Sequence, residues 1–435
     1  MRAATIHLLV LLAASTAWAQ EPETVALTGA TVLPGEGDPI EDATVVIRDG
    51  RIVSVGTGAA PSGARVLDCA GTTITPGFVG TQTELGLVEI GLEPSTADQA
   101  PEGEETDPVR ASFAAIDGYN PTSTLIPVAR RWGVTSVVST PSGGVVSGTS
   151  AWVDLAGATL DDVLVEERAG LHVSLGDEAV GASGGARSTA LNLLREVFED
   201  ARLFNQRGAQ TYDRRGLREL SVSRLDLQRL AGALDGDYPV VIHASRSSDI
   251  LRALALANDY GLRLVLAGAE EAWMVAAQIA AADVPVILQP LTNLPGSFAH
   301  LHARYDNAAI LDRAGVRIVI ATGGAHGQRN LRQEAGNAIA TGLPREVALR
   351  ALTVEPARVF GVDDRYGTIA PGRVANLVVW TGDPFELTTW ARHVFIRGRE
   401  IPTRSRQTLL FERYRDLSRV PRGQRGLPRG ARREE

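Results

Sequence analysis

An α/β architecture with β-structure at both chain ends is predicted by three features of the sequence. Between about residues 76 and 355, short apolar runs alternate with helical stretches, the pattern of parallel βα units. On either side lie β-branched runs broken by turn signals. The chain has 435 residues, 44% of them hydrophobic and 22% charged, enough for a large core and more than one domain.

Taken in order, residues 1–19 combine a basic start at Arg2, an apolar centre from Leu8 to Ala14, and Ala17-Trp18-Ala19 before Gln20. This predicts a secretory signal peptide and a secreted or periplasmic protein. The apolar centre is shorter than the roughly 20 residues a bilayer span needs, so no transmembrane segment is expected after its removal. Residues 20–75 hold Thr44–Arg48, the turn Asp49-Gly50 and Arg51–Val55, a hairpin signature. Residues 356–405 repeat that style in Ala375–Trp380 and Val394–Ile396. Two distant all-β pieces around one long centre predict a small composite β-sandwich built from both ends.

The central strands are expected at Ile74–Val79, Thr135–Ser139, His172–Leu175, Val240–Ile242, Leu262–Leu266, Val284–Leu288 and Arg317–Ala321. Helices are expected at Leu191–Asn205, Asp249–Asn258, Glu270–Ala281, Ala308–Ala314 and Glu346–Leu352. Residues 86–120, rich in acidic residues, Pro and Gly, read as a long irregular insertion. The strand count between residues 135 and 220 stays open. Residues 406–435 form an arginine-rich tail that mixes charge with Pro and Gly and has too little apolar surface to fold alone.

Charge and composition narrow the chemistry. A formal charge of −8 argues against a dedicated nucleic-acid binder. All 43 residues of the Lys+Arg count are arginine, so a lysine Schiff base is excluded. Cys69 is the single cysteine and has no partner for a disulfide within the chain. No Gly-x-Ser-x-Gly elbow occurs, which leaves a serine-hydrolase mechanism without support. The glycine-rich stretch Thr140–Gly148 is expected to turn tightly or to let the backbone approach a ligand. His172 lies inside a predicted strand, where a satisfied core histidine is the default; His300 and His302 follow a Pro-Gly loop and read as ordinary loop or helix residues. On a strand, Gln82 and Glu84 would share one face.

Three segments carry a family resemblance: Gly71-Thr-Thr-Ile-Thr-Pro-Gly-Phe-Val79 after Asp49–Val53; Ala348–Gly361; and Tyr366-Gly-Thr-Ile-Ala-Pro-Gly-Arg-Val-Ala-Asn-Leu-Val-Val-Trp380. Over about residues 24–405 the chain resembles the amidohydrolase superfamily, and within it the imidazolonepropionase-like amidohydrolases. The resemblance implies a TIM-type (β/α)8 barrel over 76–355, the composite sandwich over 20–75 and 356–405, and hydrolysis of carbon–nitrogen bonds other than peptide bonds. It also implies a divalent metal held at the C-terminal ends of the strands.

Most of the positions the resemblance assigns to that metal are substituted. Gln82 and Glu84 stand where the first strand would supply two histidines. The bridging lysine is missing, with Glu166 and Glu178 as open candidates for that region. His243, ending Pro239–His243, is the one ligand carried over. Ala267 and Gly268 replace the sixth-strand histidine, and Gly323 and Gly324 occupy the region of the eighth-strand aspartate. A catalytic zinc takes three protein ligands and a water, so one matched ligand leaves the site short. The expectation is a pseudoenzyme without a cofactor that has lost metal-dependent catalysis. It would bind a small molecule at the barrel mouth, or pair with itself or with an active relative. The alternative is a hydrolase of cyclic amide or peptide-like substrates that uses Glu84 and His243 as its catalytic pair. It would work either without metal or with zinc or another divalent ion at His243, Glu84 and His326.

Overall fold

A computed structural model describes residues 23–101, 106–208, 220–292, 294–404 and 406–416. The expected signal peptide, and the tail from residue 417 onward, lie outside the described residues. Five strands open the chain: β1 (Val25–Val32), β2 (Ile40–Arg48), β3 (Arg51–Gly56), β4 (Arg65–Asp68) and β5 (Thr73–Pro76). The β2–β3 turn places both Asp49 (φ 53°) and Gly50 (φ 75°) in the left-handed region, as a tight hairpin requires.

The central sheet follows as β6 (Phe78–Thr83), β7 (Val134–Ser139), β8 (Val146–Asp154), β9 (Leu164–Ser174), β10 (Val240–Ala244), β11 (Leu264–Gly268), β12 (Val286–Leu288) and β13 (Ile318–Ile320). These eight strands lie side by side in chain order. The sheet curls into a nearly closed barrel, and Thr83 Oγ1 donates to the Gly324 carbonyl at 3.1 Å between its two ends. Alternation along the strands gives the barrel an inside and an outside. Val241, Val265, Ile287 and Val319 pack together on the inside, while their neighbours Val240, Ile242, Leu266, Val286 and Ile318 face the surrounding helices.

One strand departs from the expected parallel βα pattern. β8 runs antiparallel to both β7 and β9, making a hairpin with β9. Its nine residues are all buried. The sequence shows no polar–apolar alternation there, so residues 149–154 give no strand signal and residues 146–148 read as part of the glycine loop. Gly148 belongs to this strand, with φ 126°, and a Cβ there would lie 2.3 Å from the Phe113 carbonyl oxygen. The close approach of backbones is the reason for the glycine.

After the barrel come β14 (Leu377–Trp380), β15 (Ala391–Ile396) and β16 (Arg399–Ile401). They join the opening strands in one hydrogen-bonded sheet, ordered β16-β15-β14-β5-β1-β2-β3, with β4 also paired to β1. The segments before and after the barrel therefore share one sheet over a common core of residues such as Leu27, Ile47, Ile74, Leu377 and Phe395. Asp154, fully buried at the end of β8, ties this sheet to the barrel. It accepts from Ser136 Oγ (2.8 Å), Tyr366 OH (2.9 Å), Asn376 Nδ2 (2.7 Å) and Arg397 Nε (2.6 Å). The start of the arginine-rich tail also differs from expectation: Arg406–Tyr414 is a helix, held by Arg131 Nη1 donating to Thr408 Oγ1 at 2.9 Å. Among the described residues, no helix is long and apolar enough to cross a membrane.

Candidate functional site at the barrel mouth

A cavity of about 290 Å³ opens at the C-terminal ends of the parallel strands, with Gln82, Glu84, His172, Glu178, His243 and Gln289 among its walls. The strand geometry explains who faces it. His243 has the parity of inward-facing Val241, one step nearer the mouth. His172 on β9 is level with Val241 and so lies one layer deeper than His243. Gln82 reaches the cavity differently from the simple alternation expected. It takes φ 55°, in the left-handed region, and the β6–β7 register shifts between Gly80 and Thr83. A non-glycine residue held there stores on the order of 1–3 kcal/mol of strain, at the point where its side chain is aimed into the cavity.

Gln82 and His243 are joined. His243 Nε2 lies 2.6 Å from Gln82 Oε1, and with an amide oxygen facing it that nitrogen donates the proton. Burial pushes the His243 imidazole down to about 4. His172 is 1% exposed and is pushed down to about 3, by burial first and by His243 second. Both rings are therefore neutral near pH 7. His172 is not the satisfied core histidine expected, because neither ring nitrogen has a hydrogen-bond partner among the described residues; the Gln82 Nε2 is also buried and has none among them. Burial pushes the Glu84 carboxyl up; a hydrogen bond from Ser142 opposes this, and the neighbouring Glu178 adds to it.

The other expected positions separate clearly. Glu178 lines the cavity from the helix Asp177–Ala182, whereas Glu166 pairs with Trp152 in the β8–β9 ladder, away from the cavity walls. His326 is also outside those walls, with its Nε2 3.1 Å from the Glu89 carbonyl oxygen. It does not join Glu84 and His243 in a shared site. His300 and His302 are more engaged than loop residues need be. His300 Nε2 is 3.2 Å from Ser245 Oγ, on the cavity wall, and His302 Nδ1 is 3.1 Å from Glu271 Oε1. Their spacing alone gave no sign of this, because their partners come from the ends of β10 and β11.

The donor set does not fit the divalent metal that the resemblance implies. Metal binding needs the lone pair of an imidazole nitrogen, and the Nε2 of His243 is taken up by Gln82 whichever way that amide is turned. At the end of β11, Ala267 is a buried apolar residue and Gly268 has no side chain. Beyond β13, the Gln289 amide oxygen lies 3.2 Å from where a Gly323 Cβ would be, so an uncharged amide sits beside that glycine. Among the described residues, no group of three or more His, Cys, Asp or Glu side chains could hold a metal ion.

Comparison with known proteins agrees with this geometry at the level of fold. Residues 300–401 match the Amidohydrolase family. An amidohydrolase from Thermotoga maritima superposes with a TM-score of 0.79 at 27% identity, over 87% of this chain and 100% of that one. A zinc-bound adenosine deaminase from Xanthomonas campestris gives 0.54 at 20% identity, over 87% and 93%, a likeness of fold alone. The amidohydrolase tasK of Hapsidospora irregularis is 22% identical over 368 residues, 78% of this chain and 37% of that protein. The N-acyl-D-aspartate deacylase of Alcaligenes xylosoxydans xylosoxydans is 37% identical over 57 residues, 13% of this chain and 11% of that protein. The chain thus spans 37% or less of the length of these two curated relatives. The family match in its C-terminal part and the fold of its barrel make the chain similar to proteins of the amidohydrolase superfamily.

Proposed function

We propose that this protein is a metal-free binding member of the superfamily, nearest to the imidazolonepropionase-like group and with that group's composite sandwich. A small polar molecule would occupy the barrel mouth. The observation that carries this reading is the His243–Gln82 contact of 2.6 Å, which takes up the one metal-ligand position retained. Without an ion to lower the pKa of a bound water to roughly 7, the superfamily's nucleophile is not generated. In the same reading the mature protein begins at Gln20 and is secreted or periplasmic. It works alone, as a homo-oligomer or beside an active relative. Elemental analysis of the mature protein after loading with zinc or manganese tests the central point. Far less than one ion per chain is expected, and one tightly bound ion per chain overturns it.

The Glu84–Glu178 pair favours a second reading, a hydrolase of cyclic amide or peptide-like substrates without metal. Glu84 is pushed up by burial and in part by Glu178, which favours its protonated form and suits a proton-transfer role. Glu84 would be the proton-transfer group and neutral His243 its partner. Turnover that survives both Glu84→Ala and His243→Ala rules this out.

A further inference from the structure

We propose that the ligand of the barrel mouth is a small organic cation, an amine or guanidine, with its charge beside Glu84 and Glu178 and its uncharged part over Gln82, His172 and His243. This rests on the metal-free reading of the same cavity. The charge of the walls is the first argument. Their ionisable side chains are Glu84, Asp177, Glu178 and the two histidines, with no arginine among them.

Two of the three carboxylates have arginine neighbours. Asp177 is paired to Arg187 at 2.7 Å. Arg110 stands behind Gly143, where it donates to the Ser142 carbonyl at 3.0 Å and feels the Glu178 charge. Glu84 has no ion pair among the described residues, is half-buried, and has Glu178 as a like-charged neighbour. A cation entering the mouth relieves that repulsion and is held more strongly for being partly out of water.

The floor is the second, independent argument. His172 is 1% exposed, faces the cavity and has no partner for either ring nitrogen among the described residues. The Gln82 Nε2 is buried beside it with a donor to spare. Buried polar groups of this kind are nearly always satisfied, by water or by a ligand. A neutral imidazole offers one donor and one acceptor, which suits an uncharged carbonyl, amide or hydroxyl rather than a second charge. A cavity of about 290 Å³ limits the ligand to the small end of the range for such sites.

Isothermal titration calorimetry of the mature protein with agmatine and cadaverine tests this, with glutarate and glutaramide as the anionic and neutral counterparts. Saturable one-to-one binding of agmatine or cadaverine is expected, with none of glutarate and with affinity about tenfold or more weaker in Glu84→Gln. Glu178→Gln, at an exposed position, provides a second variant should Glu84→Gln not fold. Binding of glutaramide or glutarate without either cation overturns the inference and leaves the metal-free binding reading standing. No binding of any of the four probes also overturns it. Uptake of one zinc per chain, followed by elemental analysis in the same samples, overturns the underlying reading as well.

Discussion

At the residue scale, the two histidines of the floor matter most. His172 and His243 are kept neutral by burial, with pKa values near 3 and 4 in the folded chain against 6.5 when free. The folded form of each therefore binds a proton less readily than the unfolded form. Their contribution to stability is complete above about pH 6.5 and is lost as the pH falls toward the folded values. Each would steepen the fall by about 1.4 kcal/mol per pH unit. Replacing His172 with Gln removes one proton-binding group. In urea unfolding between pH 6.5 and 4.5, the slope of stability against pH is expected to be shallower by about that amount. An unchanged slope would mean that His172 does not stay neutral in the folded chain. Glu84 could be picked out from the sequence because a carboxylate stood in a recognisable frame. His172 could not, because a polar residue within an apolar strand reads as core until its missing partners are seen.

At the scale of elements, β8 is the departure that shapes the site. By pairing antiparallel with β7 and β9, it brings Ser147 to the cavity wall and sets the approach of the segment around Phe113. Gly148 is the hinge of that arrangement. An alanine there would combine φ 126° with a Cβ 2.3 Å from the Phe113 carbonyl oxygen. Gly148→Ala is expected to destabilise the protein by about 3 kcal/mol or more, through backbone strain and overpacking together. Thermal unfolding measures it, and a loss below about 1 kcal/mol would show that the Phe113 segment gives way easily. The strands that were legible in the sequence were those followed by an amphipathic helix, such as β10 before Ser247–Tyr260. A fully buried strand in a hairpin carries neither signal.

At the scale of the whole molecule, the two ends of the chain and the barrel are joined by a small number of polar contacts under the composite sheet. Asp154 gathers Ser136 from β7, Tyr366, Asn376 and Arg397, residues up to 243 positions from it in the chain. Asp154→Ala would leave the Arg397 guanidinium, half-buried and bonded also to the Leu164 carbonyl, without its carboxylate. Losing one partner of such a pair costs about 3–5 kcal/mol. Denaturant unfolding should show that loss, and a change below about 1 kcal/mol would show that the barrel and sheet are held together by apolar packing alone.

The α/β alternation, the two β-rich ends and the turn at Asp49-Gly50 follow from local periodicity and turn chemistry, which a linear chain displays directly. The absence of lysine likewise removes lysine chemistry before any fold is known. Other features exist only after distant segments meet. The Gln82–His243 contact spans 161 residues, and Glu178 becomes Glu84's neighbour only across the barrel mouth. Partnering, burial and like-charge proximity are properties of space rather than of spacing, and the chemistry of this cavity is built from those three.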